Sequence, residues 1–480
     1  EKGKKNIYFT ILIKRAFECW VVSRNMVKTV VGDQAQLDLA EEQISRSGVT
    51  PQIGLVIGKI SQQLDRGFIY SLVPTPQNDT GDPACFLVGA AMGDDHKKKG
   101  AKSKSVASNH SSLTIDSDWI AEHARQVARL MVGGVKVIGI YVWASETVFK
   151  NSTAAFCQTL LSISKAASLT NNRVYENLLL HISYSPRRWT CRSFTPSSSA
   201  SSSNLRPCEF KTSKVLSYLQ TFKCNYNFEL RLPVTQESSN TLSDILDRAI
   251  FSLQDGLKDV KVLVDGNLVL NEEQLTADEQ PRNIEFIFPF MKSATFEGFN
   301  EAHVSGTFVF GGAIAAFSCS NTKEPLSEAV ADIKDDIITS LRSRVDTMCE
   351  AKEGEEQPIE RLITHEKCRL DFPKRVFIRW VGSVPICDYL LPLETSEAVI
   401  DHCKELFSME GPNIIETEEE ASGNSSCQIE ELSSKKVSGS NMKGQNANAD
   451  RNVSLGNFTV LSVFILLLSV ILGFVIFSRR

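Results

Sequence analysis

The chemistry available to this chain starts with its twelve cysteines and seven histidines, because a thiolate can attack a carbonyl and an imidazole can move the proton. A cysteine hydrolase wants its nucleophile at a helix start, beside a base that a carboxylate orients. The Asp-x-His pair that could supply such a base, Asp94 with His96, sits against Lys97, Lys98, Lys99, Lys102 and Lys104 in a stretch that reads as a solvated loop. The cysteines are scattered, with no C-x-x-C pair, which argues against a zinc ribbon or a thioredoxin-type site. In a chain of this length they read as reduced, mostly buried thiols, and so favour a cytosolic bulk. His123 lies beside the apolar face of its helix and reads as a hydrogen-bonded structural residue or a partner contact. Cys387-Asp388 follows Pro385 at a strand start and reads as packing. Gly311-Gly312 lacks the Lys-Ser/Thr of a phosphate loop and reads as a bulge or turn.

The elements that must position these residues alternate in type, which predicts a mixed α/β fold. From Met26 the pattern gives a helix near Ala35–Ser47, a strand at Ile53–Ile57 and another at Gly67–Val73. A polar insertion over 74–116 follows, then a capped amphipathic helix (Asp116–Met131) stopped by Gly133-Gly134, and a buried strand, Val135–Trp143. A helix at Thr153–Ala167 and strands near Leu178–Tyr184 and Trp189–Phe194 complete a first domain, 26–195. The Ser-rich stretch 196–204 reads as a linker. A second α/β domain, 205–408, carries strands near Asn225–Pro233, Ile284–Phe290, Thr307–Cys319, Arg375–Val381 and Asp388–Leu393. Its hairpin turns at Asp265-Gly266, and helices are predicted over Leu242–Leu257 and Ser396–Ser408. Its long helix, Leu326–Met348, aligns Val330, Ile333, Ile337, Leu341, Val345 and Met348 on one core-facing stripe.

Partners follow from charge and hydropathy. The 52 Lys+Arg against 57 Asp+Glu leave a net charge of −5, which offers no nucleic-acid surface. Residues 409–457 are Glu-rich, then Ser/Asn/Lys-rich, and read as a disordered tether that would reach about 35–40 Å root-mean-square. The run 458–477 that follows has no charged residue, and Phe458, Leu461, Phe464, Leu468, Ile471, Phe474 and Phe477 mark its length. As a helix rising about 1.5 Å per residue it spans about 30 Å, the hydrocarbon thickness of a bilayer. This predicts a single-pass tail anchor with the bulk of the chain cytosolic. Residues 1–25 read as an upstream extension before a conventional start at Met26-Val27-Lys28, since the apolar run Asn6–Ile13 is short for a signal peptide.

Two resemblances attach to these segments. The order helix, IGLVIG strand, hairpin, helix, VKVIGIYVW strand resembles the MPN (JAMM-type) fold of zinc isopeptidases. In that family two histidines and an aspartate hold zinc, which lowers the pKa of bound water, and a glutamate moves the proton. Here the ligand positions hold Val142, Ala144 and Ala155, Pro51 stands where the glutamate would be, and Ser152 alone keeps its place. The resemblance therefore implies a pseudoenzyme with no metal and no cofactor. The second resemblance spans Met26–Arg480 and is carried by Trp119-x-x-Glu122-His123-Ala124-x-Gln126-Val127-x-Arg129 with Gly133-Gly134, by Cys387-Asp388-Tyr389 with Asp401-His402, and by the C-terminal apolar run. On these residues the chain is similar to the odorant-response-abnormal-four (ODR-four) family, as a plant-type member. That resemblance implies an endoplasmic-reticulum membrane protein that supports maturation and trafficking of multi-pass receptors and anchors a Ufm-specific cysteine protease as its partner.

The expected function is thus a non-enzymatic adaptor bound to the lipid bilayer through its C-terminal helix. A cysteine hydrolase with an unrecognised Cys/His site is one competing reading. A vesicle-tethering protein is the other, although that would want a heptad coiled coil beside the anchor, and the sequence has none. A cytosolic bulk predicts that the sequons at Asn78, Asn109 and Asn151 stay unmodified in cells. Glycosidase treatment should leave the electrophoretic mobility unchanged; a shift would place the domain in the lumen.

Overall fold

Which face each apolar run must bury decides how the strands pair. The computed structural model describes residues 27–88, 112–168, 176–196, 202–235, 242–268, 280–288, 304–351, 370–415 and 426–431. Strand β1 (Thr29–Asp33) leads into helix α1 (Gln34–Ser47), whose N-cap Asp33 accepts the Gln36 N–H at 3.2 Å. The hairpin β2 (Gln52–Ser61) and β3 (Arg66–Pro74) follows, then the short pair β4 (Cys85–Leu87) and β5 (Leu113–Ile115) and helix α2 (Ser117–Arg129). After β6 (Lys136–Trp143), helices α3 (Glu146–Asn151) and α4 (Thr153–Ala166) make the crossover that a parallel neighbour requires, β7 (Asn177–Tyr184). Strands β8 (Arg187–Phe194) and β9 (Leu205–Ser213) complete a closed barrel in the order β1-β3-β2-β6-β7-β8-β9. Closure is the parallel β1/β9 pairing, from Thr29 opposite Glu209 to Asp33 opposite Ser213.

The remaining strands build an open sheet. A long antiparallel pair, β10 (Leu219–Thr235) with β14 (Val304–Asn321), forms its spine. Between them in the chain lie helix α5 (Leu242–Gly256) and the strands β11 (Lys261–Val264), β12 (Asn267–Leu268) and β13 (Arg282–Ile287). Helix α6 (Leu326–Glu350) buries Leu326, Ile333, Ile337, Leu341, Val345 and Met348 with α5 against Phe222, Phe228, Phe308 and Phe310, so the predicted stripe is core, with Val330 at its edge. Then come β15 (Leu370–Asp371), β16 (Lys374–Val381), β17 (Val384–Leu390), helix α7 (Ser396–Phe407), β18 (Asn413–Ile415) and β19 (Ser426–Glu431). The open sheet runs β12-β11-β13-β10-β14-β19-β15, and β17-β16-β18 form a separate small sheet.

The described residues form one unit, and the boundaries differ from those the sequence suggests. The strand after the Ser-rich stretch belongs to the barrel, so Leu205–Ser213 pairs with the first half and not the second. Its alternating exposure and Pro207 hide it from a hydropathy reading; the free edges of β1 and β8 supply the hydrogen bonds that local sequence does not advertise. Residues 413–415 and 426–431, read as tether, are strands for the same reason: β18 adds to β16 and β19 to β14. Side chains of β17 and α7 (Ile386, Tyr389, Val399, Phe407) share a core with Ile120, Ala124 and Val127 of α2. The lysine cluster, residues 1–25 and the apolar run 458–477 lie outside the described residues. Among the described residues no helix is long and apolar enough to cross a membrane.

A polar stripe on α6 stitches these parts together. Asp332 Oδ2 lies 2.6 Å from the Lys59 Nζ of β2, and Glu324 Oε2 lies 2.9 Å from it. Burial opposes the lysine's charge, but Asp332 and Glu324 more than offset it, so Lys59 is held protonated well above the ordinary lysine range. One turn on, Asp336 grips Arg375 of β16 with both oxygens at 2.8 and 3.0 Å and also accepts the Phe317 N–H of β14 at 2.9 Å. Gly133 threads between: its N–H reaches Phe317 O at 3.0 Å, and a Cβ there would stand 2.5 Å from two backbone oxygens. Arg375 is fully buried, so Asp336→Ala leaves an unpaired guanidinium in the core, at a cost of about 3–5 kcal/mol. Breaking the exposed Lys28–Asp65 pair should cost less than about 1 kcal/mol. Urea unfolding of the two variants measures the contrast.

Candidate functional site

The motif residues lie on α2 and at the end of β17. Asp116 caps α2 by accepting the Trp119 N–H at 3.0 Å, and the Trp119 indole N–H is donated to Pro76 O at 2.9 Å. Glu122 accepts from Arg125 and Gln126, and its carboxyl is held below the usual range chiefly by the Arg125 hydrogen bond. Arg129 Nη1 donates to both carboxylate oxygens of Glu350 of α6, at 2.8 and 3.0 Å, and Nη2 donates to Thr347 Oγ1 at 2.7 Å. His123 points inward, with Nε2 3.0 Å from the Leu406 carbonyl and Nδ1 3.3 Å from the Thr75 hydroxyl. A carbonyl only accepts, so Nε2 carries the proton and Nδ1 accepts. Burial lowers the pKa of this imidazole, which keeps it neutral.

The second motif segment meets the end of this helix. Cys387 donates its N–H to Leu130 O at 2.9 Å and its thiol to the same oxygen at 3.4 Å, while Ile386 bridges Met131. Burial raises the Cys387 thiol pKa, against the opposing pull of Arg375, so this sulfur is packed and not primed as a nucleophile. Tyr389 packs beneath the Arg375 and Arg344 guanidinium groups at 5.9 and 6.0 Å. Asp388 Oδ2 lies 3.0 Å from His402 Nδ1. The structure therefore joins α2 to the second segment through Leu130 with Cys387 and His123 with Leu406, whereas Trp119 bonds Pro76, Glu122 and Gln126 bond within the helix, and Arg129 reaches Glu350 of α6.

Pro51, Val142, Ala144, Ser152 and Ala155 lie elsewhere, around the end of β6 and the start of α4. Strand register sets Ile53 opposite Val142 and Gln52 opposite Trp143, so Pro51 enters beside the strand end that carries Ala144. Val142 and Ala144 are buried. Ser152 accepts the Leu113 N–H at 2.7 Å and donates to Val148 O at 2.8 Å, tying β5 to the start of α4, where Ala155 occupies the first turn. The sequence reading passed over His181, which register places opposite Val142 on β7. Its Nε2–H is given to Ala144 O at 3.0 Å, its ring stacks on Phe149 at 3.9 Å, and burial lowers its pKa. No motif marks His181; only the β6/β7 register reveals it. Lys59 and Asp332, which pair across 273 residues, and Asp336 and Arg375, which pair across 39, carry no local signature either.

Comparison with known proteins finds one family over most of the chain. The pattern of a family described as Odorant response abnormal 4-like matches residues 54–416. The chain belongs to the ODR4-like family. The Protein odr-4 homolog of Mus musculus is 24% identical over 380 residues, which cover 74% of this chain and 78% of the relative. That of Dictyostelium discoideum is 23% identical over 375 residues, with 74% of each chain covered. Among solved structures, UfSP from C. elegans aligns with a TM-score of 0.34 at 8% identity, over 80% of this chain and 57% of that one. The ODR4-like match contains both motif segments and the joint they form.

That joint should respond to pH. The hydrogen bond with Asp388 is the main cause that raises the His402 pKa above its ordinary 6.5, with burial opposing. A raised histidine stabilises fully below its unfolded pKa and loses that contribution as pH rises through the folded value. Stability should therefore fall as pH rises above about 6.5. Asp388→Asn should remove the His402 share of that slope and leave the share of Glu328, also raised, unchanged, which the difference in urea midpoints between the two proteins from pH 5.5 to 8.5 would show.

Proposed function

We propose that this ODR4-like chain is a non-enzymatic adaptor of the endoplasmic-reticulum membrane. It recruits a Ufm-specific cysteine protease and supports the maturation and trafficking of multi-pass membrane proteins. In this reading its N-terminal half is an MPN-like pseudoenzyme. The observation that carries it is that the motif side chains are consumed internally. His123 is neutral and bonded through both nitrogens, Cys387 is buried with a raised thiol, and Arg129 is bonded to Glu350. Where the metal site of the resembled fold would be, Val142, Ala144, Ala155 and Pro51 offer neither a lone pair for zinc nor a proton-transfer group. What is left partly open on α2 is the Glu122–Arg125–Gln126 face, which is suited to a polar contact.

The work done by such a protein is effective concentration. Holding a protease on a surface raises its encounter rate with membrane-bound substrates without any new chemistry. Affinity purification of the full-length chain and of a version ending at Asn457, read by mass spectrometry, tests the reading. Both should recover a Ufm-type protease, with only the full-length chain in the membrane fraction. Failure to recover it with either, or turnover of a Ufm-type peptide substrate by the purified chain alone, would reject the adaptor in favour of the hydrolase.

A further inference from the structure

Cys191 on β8 and Cys208 on β9 are direct antiparallel partners, one strand away from the β1/β9 seam that closes the barrel. The ladder fixes their geometry. Thr195 N–H reaches Asn204 O at 3.2 Å just beyond the register, and Pro207, which has no N–H, stands opposite Arg192. On the other side of β9, the Glu209 N–H turns to Lys28 O at 3.0 Å. This alternation puts Cys191 and Cys208 in a hydrogen-bonded position, where Cα atoms lie about 5.5 Å apart. That separation falls within the Cα range of disulfides, about 4.4–6.8 Å, and closing the bond asks the two side chains to turn toward each other across the ladder.

The two sulfurs are also unequal in a useful way. Cys191 is 3% exposed, whereas Cys208 is half-buried and its thiol donates to Val27 O at 3.3 Å. The hydrogen bond between the two thiols, helped by Ser193, holds Cys208 down to about 7 against burial, while the same bond and burial push Cys191 well up. Thus Cys208 is the sulfur that a reagent can reach as a thiolate, and Cys191 is the one behind it.

We propose that Cys191 and Cys208 form a redox modification site, oxidised to a cross-strand disulfide by a small disulfide of the glutathione class. The Cys208 thiolate attacks one sulfur of glutathione disulfide, whose S–S bond breaks and releases one glutathione thiolate, which takes up a proton. Cys191 gives its proton to solvent and attacks the Cys208 sulfur, displacing the second glutathione. The two protein thiols lose two electrons and two protons, and one glutathione disulfide becomes two glutathione thiols. The bridge locks β9, and with it the β1 closure, to β8.

The test incubates the full-length chain in glutathione buffers of graded ratio, traps the remaining thiols by alkylation and maps the peptides. A peptide linking Cys191 to Cys208 should grow with the oxidised fraction, while the exposed Cys349 gains a glutathione adduct and no bridge. Oxidised protein should unfold at a temperature higher by roughly 5 °C. Cys191→Ser, or Cys191→Ala if the serine is not tolerated, should halt Cys208 at a lasting glutathione adduct. Cys208→Ser should leave Cys191 reduced. The proposal fails if both thiols of the unmodified sequence alkylate at every ratio, or if Cys208 keeps its adduct while Cys191 stays free.

Discussion

Carboxylates along one side of α6 are the constraint on which the rest depends. Glu328, Asp332 and Asp336 follow one another at single-turn spacing on a helix whose other side is apolar, and Glu324 joins them from the turn before it. Such charge inside a protein is tolerable only with partners of opposite sign and donors for the remaining lone pairs. The chain supplies Lys59 from the barrel, Arg375 from the small sheet and the Phe317 N–H from β14 of the open sheet. Three separate pieces are thereby committed to one helix, and their relative placement follows. The balance is imperfect at Glu328, pushed up to about 7 by burial and then by Glu324, although Ser61 donates to it at 3.3 Å. Its proton is the least costly way to lower the negative charge around a single lysine.

The elements themselves were legible because their signals are local. Asp116, the Ile120–Ala124–Val127 spacing and Gly133-Gly134 announce α2; the stripe Ile333–Ile337–Leu341–Val345 announces α6; Asp265-Gly266 announces its hairpin. Pairing was not legible. Strand β9 looks polar and carries a proline, β1 is short, and β18 and β19 sit in stretches whose composition suggests no structure. Each becomes a strand because a neighbour offers an open edge, a tertiary fact that overrides propensity.

The candidate site divides in the same way. The motif residues were visible as runs, yet their division of labour depends on contacts such as His123 with Leu406 and Cys387 with Leu130, which join segments far apart in the chain. The sequence marked His123 as a structural residue or a partner contact and Cys387 as packing; in the structure both side chains are buried and bonded within the chain. It gave no hint of His181, since a lone histidine in an apolar strand carries no pattern of its own.

Barrel closure has a consequence for the order in which the molecule can be made. Strand β1 needs β9 on one side, and those partners lie 180 positions apart, as the Thr29–Glu209 hydrogen bond shows. During synthesis at about 5–20 residues per second, β1 therefore waits on the order of ten seconds for its second neighbour to leave the ribosome. Through that interval one of its edges is open, a row of unpaired backbone groups that other strands can find. The nascent chain has reason to engage a chaperone before Ser213 emerges, and the short length of β1 limits how much edge it must shield.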